Sequence, residues 1–472
     1  MPRIATSLLK KAYTLDRLLP PLLRTTRDLQ AAVNELRWLR EHVESDPKKA
    51  ISNELRARSK YLKRSSKEAV SNGLRILHEQ LKRNPKKAIS RQVVRLVRER
   101  AKGTPLQYLL GSEYFGDLEL ACRPGVLIPR QDTANTISHL AQLVRNPNNK
   151  LPPELRVLDL CTGSGCIPLL FGHELRKTRR DITYRMLGVD VSTKALALAS
   201  DNLAAVQSAP GVSNLFSSPK NANSEAEQGE ERQEEGKEGK VIANFLSANV
   251  LLSPFVAQSD EYYSTPPLFT ALNRAGHPRL WDIVISNPPY ISPAAYWKTT
   301  TRSVRGFEPT LALVPPPQSS AEPWSSLPWI PPPSAVQLFP RTRDGPPTQQ
   351  GENGDTFYTP LLSIAALVEA KIVLLEIADA EQAVRVARLG KNMNFDGVEI
   401  WREQPDVRDG APSSTSNSTT PEHGGNGDEE QAEGNQEERS EDTIDGIPIV
   451  GAGNARCVVF WRGVGATWLG KE

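Results

Sequence analysis

The sequence predicts an α/β sheet with helices on both faces, preceded by a small helical bundle. Three observations lead there. Short, near-continuously apolar runs recur from residue 155 onward, at 157–160, 185–189, 241–246, 282–286, 371–377, 398–401 and 456–461. Strands buried on both faces read this way. Helical stretches alternate with most of these runs, as in a sheet covered on both sides. None separates the last two runs, which are therefore expected to pair antiparallel. Residues 28–102 instead place apolar residues at helical spacing, such as Leu29, Val33, Leu36 and Val43, then Val70, Leu74, Leu77 and Leu81.

Taken in order, residues 1–15 hold Arg3, Lys10 and Lys11 with no acid, and Leu8, Leu9, Tyr13 and Leu15 offer an apolar face. Two readings stay open for this stretch: a mitochondrial transit peptide, which it resembles, and an ordinary basic first helix. Asp28 is placed to cap a helix. Ser90 is expected to cap another, carrying Val93, Val94, Leu96 and Val97, and Gly103 to end it. Residues 1–102 therefore read as a helical domain, 103–150 as a linker and 151–472 as the catalytic domain. Within the last, 208–240, 254–280, 315–355 and 405–446 are rich in Ser, Pro, Gly or Glu. They are too poor in apolar residues to offset the entropy of ordering, and are expected to be disordered insertions.

The formal charge of +3 over 472 residues hides an uneven spread. Residues 1–100 carry about 25 Lys and Arg against about 10 Asp and Glu. Most of those charges are expected to be solvated. The four cysteines, Cys122, Cys161, Cys166 and Cys457, form no paired metal-ligand spacing and no disulfide framework, so no metal is expected. No run approaches the roughly 20 apolar residues of a membrane span, so no membrane partner is expected.

Two motifs carry the chemistry. In VLDLCTGSGCI (157–167) a strand ends, a turn of Cys161, Thr162, Gly163, Ser164 and Gly165 follows, and a helix begins. The glycines let backbone approach a ligand closely. Asp190, at the end of the next run, is the acid that accepts hydrogen bonds from ribose hydroxyls in nucleotide-binding α/β folds. This much also suits a dinucleotide, although the spacing is not GxGxxG. The second motif decides between them. WDIVIS runs into Asn287, Pro288, Pro289 and Tyr290. The prolines stiffen the turn and remove two donors. The Asn287 side-chain oxygen and the Pro288 carbonyl can then accept both hydrogens of one NH2 group, and the Tyr290 ring can pack on a flat amide or base. That equipment suits methyl transfer to a planar nitrogen.

Together the two motifs resemble the HemK/PrmC family of release-factor N5-glutamine methyltransferases, bacterial or mitochondrial type. GTPLQYLLGSEYFG (103–116) and LIPRQDT (127–133) are similar to that family's linker, and RGFEPTLAL (305–313), LLEI (374–377) and GNAR (453–456) to its later elements. The resemblance implies a Rossmann-like class I fold, S-adenosyl-L-methionine as cofactor, and the glutamine of a release factor's Gly-Gly-Gln loop as substrate. It implies that residues 161–165 wrap the methionine part and ribose, that Asp190 holds the ribose, and that Asn249 and Val250 border the adenine, with Asn287 closing the cofactor site. It implies that Asn287 to Tyr290 hold the amide. Departures are Asp132-Thr133-Ala134 where the family often has Glu-Thr-Glu, Asn249 where Asp is common, and Val250 where an aromatic residue is common. The helical domain and linker match the bacterial-type branch, so the expected compartment is mitochondrial, otherwise cytoplasmic. The competing reading is an N6-adenine methyltransferase of DNA or RNA; no separate base-reading module is seen, so direct nucleic-acid binding is not expected.

Overall fold

The computed structural model describes residues 3–61, 67–209, 216–217, 239–252, 265–316, 353–391, 393–407 and 443–471. The chain separates into two units. The first comprises residues 1–114, 119–129 and 294–312, the second 115–118, 130–293 and 313–472.

The first unit is helical, with α1 Thr6–Leu15, α2 Leu19–Thr26, α3 Leu29–Ser45, α4 Pro47–Tyr61, α5 Lys67–Arg83, α6 Lys86–Ala101 and α7 Leu106–Leu110. Asp28 caps α3, its carboxylate accepting from Ala31 N at 2.7 Å. Leu22, Leu23, Ala32, Leu36, Leu39 and Val97 form the core. Ser90 is not a cap. Helix α6 starts earlier, behind Pro85, because a proline's fixed φ suits a helix start and its missing N–H leaves no donor unpaired there. The apolar face of α1 also differs from expectation. Leu8, Leu9 and Ala12 pack on the core, whereas Tyr13 and Leu15 are exposed.

The expected boundary at 102 is too early, because chain distant in sequence folds with the helices. Helices α12 Pro293–Thr299 and α13 Arg302–Phe307 fall mostly in this unit. There Ser303 Oγ donates to Gly103 O at 2.6 Å, and Glu308 accepts from Ile128 N at 3.1 Å. Strands β1 Ser112–Phe115 and β2 Leu118–Ala121 pair as a separate two-stranded sheet.

Among the described residues, the second unit is built on a ten-stranded sheet of order β10-β11-β9-β12-β8-β7-β3-β4-β6-β5. Its strands are β3 Glu154–Leu160, β4 Thr183–Asp190, β5 Phe216–Ser217, β6 Val241–Ser247, β7 Ile283–Ser286, β8 Ile372–Glu376, β9 Gly397–Gln404, β10 Thr443–Ile444, β11 Ile447–Val450 and β12 Ala452–Trp461. β6, β4, β3, β7 and β8 are mutually parallel. β12 inserts antiparallel between β8 and β9, as the absence of a helix between the last two apolar runs predicts. The covering helices are α8 Gln131–Val144, α9 Cys166–Arg176, α10 Thr193–Ser208, α11 Leu268–Arg274, α14 Tyr358–Leu367, α15 Ala380–Lys391 and α16 Val464–Trp468. From β3 the chain moves outward to β4 and β6, then returns to the other side of β3 for β7 and β8. Such a reversal opens a crevice at the carboxyl ends of β3 and β7, where open α/β sheets bind ligands.

The expected insertions lie largely outside the described residues, with corrections where described residues fall within them: Phe216–Ser217, inside 208–240, pairs with β6, and Asp355, inside 315–355, is buried and accepts from Gln382. Residues 265–280 are not an insertion: α11 buries Leu268, Ala271 and Leu272 in the core. Nor does the last insertion extend through 446, since Thr443–Ile444 pairs with β11. Polar composition around these short apolar clusters masks them in a windowed reading. Among the described residues no helix is long and apolar enough to cross a membrane.

Candidate active site

β3 is a central strand between β4 and β7, and its residues from Val157 to Leu160 are buried, so it reads as an apolar run. At its end the backbone turns sharply: Cys161, Gly163 and Gly165 have φ of 67°, 56° and 77°. A non-glycine residue in this left-handed region is uncommon, and such strain gathers at functional turns. The two glycines serve different needs. A Cβ on Gly165 would lie 2.8 Å from the Phe245 ring, whereas one on Gly163 would meet nothing within 4 Å. Gly165 permits packing, and Gly163 faces open space. Thr162 and Ser164 are buried, so among the five turn residues Cys161 and Gly163 present the accessible surface. The Cys161 thiol is pushed well up by burial and then by Asp190 and Asp159, which keeps it protonated and unreactive. Asn202 Nδ2 donates to Ser164 O at 3.0 Å and braces the turn from α10, a role with no signal in the sequence.

Asp190 closes the turn from the end of β4. Its Oδ2 accepts from Gly163 N at 2.9 Å and its Oδ1 from Ser192 N at 2.8 Å. The carboxylate is thereby fixed, with a second lone pair on each oxygen. Burial pushes its pKa up against the opposing bonds from Ser192, Gly163 and Val191. Asp159, which the sequence reading left out of the site, lies beneath. It is fully buried, neither oxygen has a well-formed hydrogen bond, and burial pushes it well above the carboxylate range. Asn249 follows β6; its side-chain oxygen accepts from Leu251 N at 3.0 Å. Val250, expected at the adenine, is buried in the same apolar cluster as Leu268 and Leu272.

The second motif sits across the crevice. Ser286 Oγ donates to Leu160 O at 2.6 Å and ties the ends of β7 and β3 together. Asn287 and Tyr290 are half-buried, Pro288 and Pro289 buried. The turn is held from behind. Gln382 Nε2 donates to Tyr290 O at 3.2 Å, and a Cβ on Gly354 would lie 2.3 Å from that same oxygen. Gln382 is itself anchored, donating to Asp355 Oδ1 at 2.8 Å and accepting from Ala378 N at 2.7 Å. Asp355 pairs with Arg385 at 2.7 Å. Burial, reinforced by Glu376 and opposed by Arg456, pushes the Tyr290 phenol up to about 12.

The structure thus brings the glycine turn, Asp190 and the Asn287–Tyr290 turn to one crevice. It adds Asp159, Asn202, Gln382, Glu376 and Arg456. Glu376 and Arg456 had a signal, since both lie in the LLEI and GNAR segments.

The strand order β6-β4-β3-β7-β8-β12-β9, with β12 reversed, defines the Rossmann-like class I fold of S-adenosylmethionine-dependent methyltransferases. That fold implies S-adenosylmethionine, and the residues present fit it: a strained turn facing open space at Gly163 lies hydrogen-bonded to a fixed, buried acid. The chain is homologous to release factor glutamine methyltransferases. It is 28% identical over 318 residues to the mitochondrial MRF1 N(5)-glutamine methyltransferase MTQ1 of Saccharomyces cerevisiae, covering 66% of this chain and 68% of that protein. It is 31% identical over 224 residues to the probable Schizosaccharomyces pombe counterpart, covering 48% and 56%. It is 36% identical over 113 residues to the release factor glutamine methyltransferase of Haemophilus influenzae, covering 24% and 39%. No protein-family model matches the chain. Solved structures such as the N-terminal domain of human METTL16 (14% identity, 65% of this chain, TM-score 0.27) are too distant to add to the fold assignment.

Proposed function

We propose that this protein transfers a methyl group from S-adenosylmethionine to the side-chain amide nitrogen of the glutamine in a release factor's Gly-Gly-Gln loop, in mitochondria. One observation carries the reading: the Asn287–Tyr290 turn opens at the carboxyl end of β7, tied through Ser286 to the end of β3 where the glycine turn begins. The names of the yeast relatives support the substrate and the compartment.

When bound, the cofactor supplies an electrophilic methyl group on a sulfonium. Residues 161–165 would hold its methionine part and ribose, with Asp190 accepting from the ribose hydroxyls, Asn249 and Val250 at the adenine and Asn287 closing the site. An amide nitrogen is a weak nucleophile because its lone pair is shared with the carbonyl. The Asn287 side-chain oxygen and the Pro288 carbonyl accept its two N–H bonds, which raises electron density on nitrogen and fixes its direction. Tyr290 packs on the amide plane, and its own carbonyl is already engaged by Gln382. Acceleration by such a site comes from orientation and fixed dipoles. The direct test incubates purified protein with labelled S-adenosylmethionine and either a release factor or adenine-containing nucleic acid. Label in the release factor supports the proposal. Label in nucleic acid alone would establish the adenine reading instead.

A further inference from the structure

The Asn287–Tyr290 turn is stiff at its centre and tied at both ends. Pro288 and Pro289 fix two of its φ angles. At the near end Ser286 Oγ donates to Leu160 O at 2.6 Å. At the far end both polar groups of one peptide unit are engaged: Tyr290 O accepts from Gln382 Nε2 at 3.2 Å, and Ile291 N donates to Leu313 O at 2.9 Å. The Tyr290 ring packs against the apolar cluster of the catalytic unit. Among the described residues, no hydrogen bond engages the Asn287 side chain or the Pro288 carbonyl. The turn thus has its last carbonyl occupied, while the two acceptors suited to a substrate NH2 stay unengaged.

Gln382 has one orientation open to it. It is 1% exposed. Its Oε1 accepts from Ala378 N at 2.7 Å and from the Tyr358 hydroxyl at 3.1 Å, which settles which end of the amide is oxygen. Its Nε2 therefore faces acceptors, and beside Tyr290 O it meets Asp355 Oδ1 at 2.8 Å. Arg385 holds Asp355 in turn, donating to Oδ2 at 2.7 Å and to Oδ1 at 3.1 Å. Gly354 leaves room for the approach, since a Cβ there would lie 2.3 Å from Tyr290 O.

We propose that Gln382 is a positioning residue of the methyl transfer: by holding the Tyr290 carbonyl it fixes the turn, and so aims the Asn287 side-chain oxygen and the Pro288 carbonyl at the substrate NH2. The inference deepens the glutamine-methyltransferase reading and rests on it. Pro288 lies two residues before the held carbonyl. With both proline φ angles set, little freedom remains between them, so the direction of one carbonyl governs the other. The same bond keeps the Tyr290 carbonyl from competing with Pro288 for the substrate's N–H groups. Misplacing such acceptors by about 1 Å costs up to about 10²-fold in rate.

The test compares the full-length wild type with Gln382→Glu and Gln382→Met. Gln382→Glu keeps the shape and the Oε1 acceptor, and replaces the Nε2 donor by an oxygen facing Asp355 and Tyr290 O. Gln382→Met keeps the volume without burying a charge, and serves if the first variant does not fold. With a Gly-Gly-Gln peptide, the variants should lose about tenfold in kcat with cofactor KM unchanged. A double-mutant cycle separates positioning from a merely structural role. In an Asn287→Ala background the same substitution should cost about threefold or less, because the acceptor it aims is gone. An undiminished loss in that background would overturn the proposal, as would wild-type kcat in the single variants. If the wild type methylates no glutamine, the reaction itself is refuted, and hydrogen exchange decides the positioning separately. Exchange of the Tyr290, Ile291 and Ser292 amides should then quicken about tenfold or more in the variants while the β3 amides stay unchanged. Unchanged exchange in the turn, or equal quickening in β3, would overturn the positioning role.

Discussion

Glu376→Gln should stabilise the protein at alkaline pH and leave acid stability unchanged. Glu376 is raised from 4.5 to about 7, chiefly by burial. Between those values the unfolded chain gives up the proton and the folded chain keeps it. Stability contributed by the neutral acid is therefore complete below about pH 4.5 and is lost as pH rises through about 7. The rise corresponds to roughly 3 kcal/mol, an order-of-magnitude figure for a side chain with almost no solvent screening. Glutamine keeps the shape and never ionises, so the variant should gain about that much above pH 8 and close to nothing near pH 4.5. Urea unfolding followed by the fluorescence of Trp281 and Trp401, both buried in the catalytic unit, measures the difference at each pH. A gain independent of pH, or a variant less stable than wild type at high pH, would refute the reasoning, because Arg456 would then compensate the charge in full.

Other perturbations separate binding from chemistry. Asn287→Ala should lose about 10²-fold or more of methyl transfer, a far larger effect than on cofactor affinity, since it removes the side-chain acceptor for the substrate NH2; near-wild-type turnover would show that the role is misassigned. Asp190→Ala should weaken cofactor binding by roughly 1.5–3 kcal/mol, the cost of leaving hydroxyls without a charged acceptor. Unchanged affinity by calorimetry would remove it from the site. Gly165→Ala should destabilise by about 1–3 kcal/mol, from a left-handed φ of 77° and a 2.8 Å approach to Phe245. Gly163→Ala meets open space and should cost only its backbone strain, about 1 kcal/mol; thermal unfolding that ranks the two alike would count against their different roles.

Much of the sheet was legible because parallel strands covered on both faces leave unbroken apolar runs, and each of the seven runs became a strand. β5, β10 and β11 were not, being short and close to polar, low-complexity sequence. α11 was missed for the same reason, although Leu268 and Leu272 anchor it. The site was legible where local chain sets the geometry: the glycine turn, Asp190 and Asn287–Tyr290 are contiguous motifs or strand ends. Gln382, Asn202 and Asp159 were not, because their roles arise from tertiary approach. Gln382 reaches Tyr290 across 92 positions of sequence.

The central claim, methylation of a glutamine amide at the Asn287–Tyr290 turn, is tested most directly by site-resolved mass spectrometry. Purified mitochondrial release factor is incubated with S-adenosylmethionine and either wild type or Asn287→Ala, then digested and sequenced. A single methyl group on the glutamine of the Gly-Gly-Gln loop with wild type, and its near absence with the variant, is the expected result. An unmodified glutamine with active, folded wild type, or equal modification by the variant, would contradict the claim.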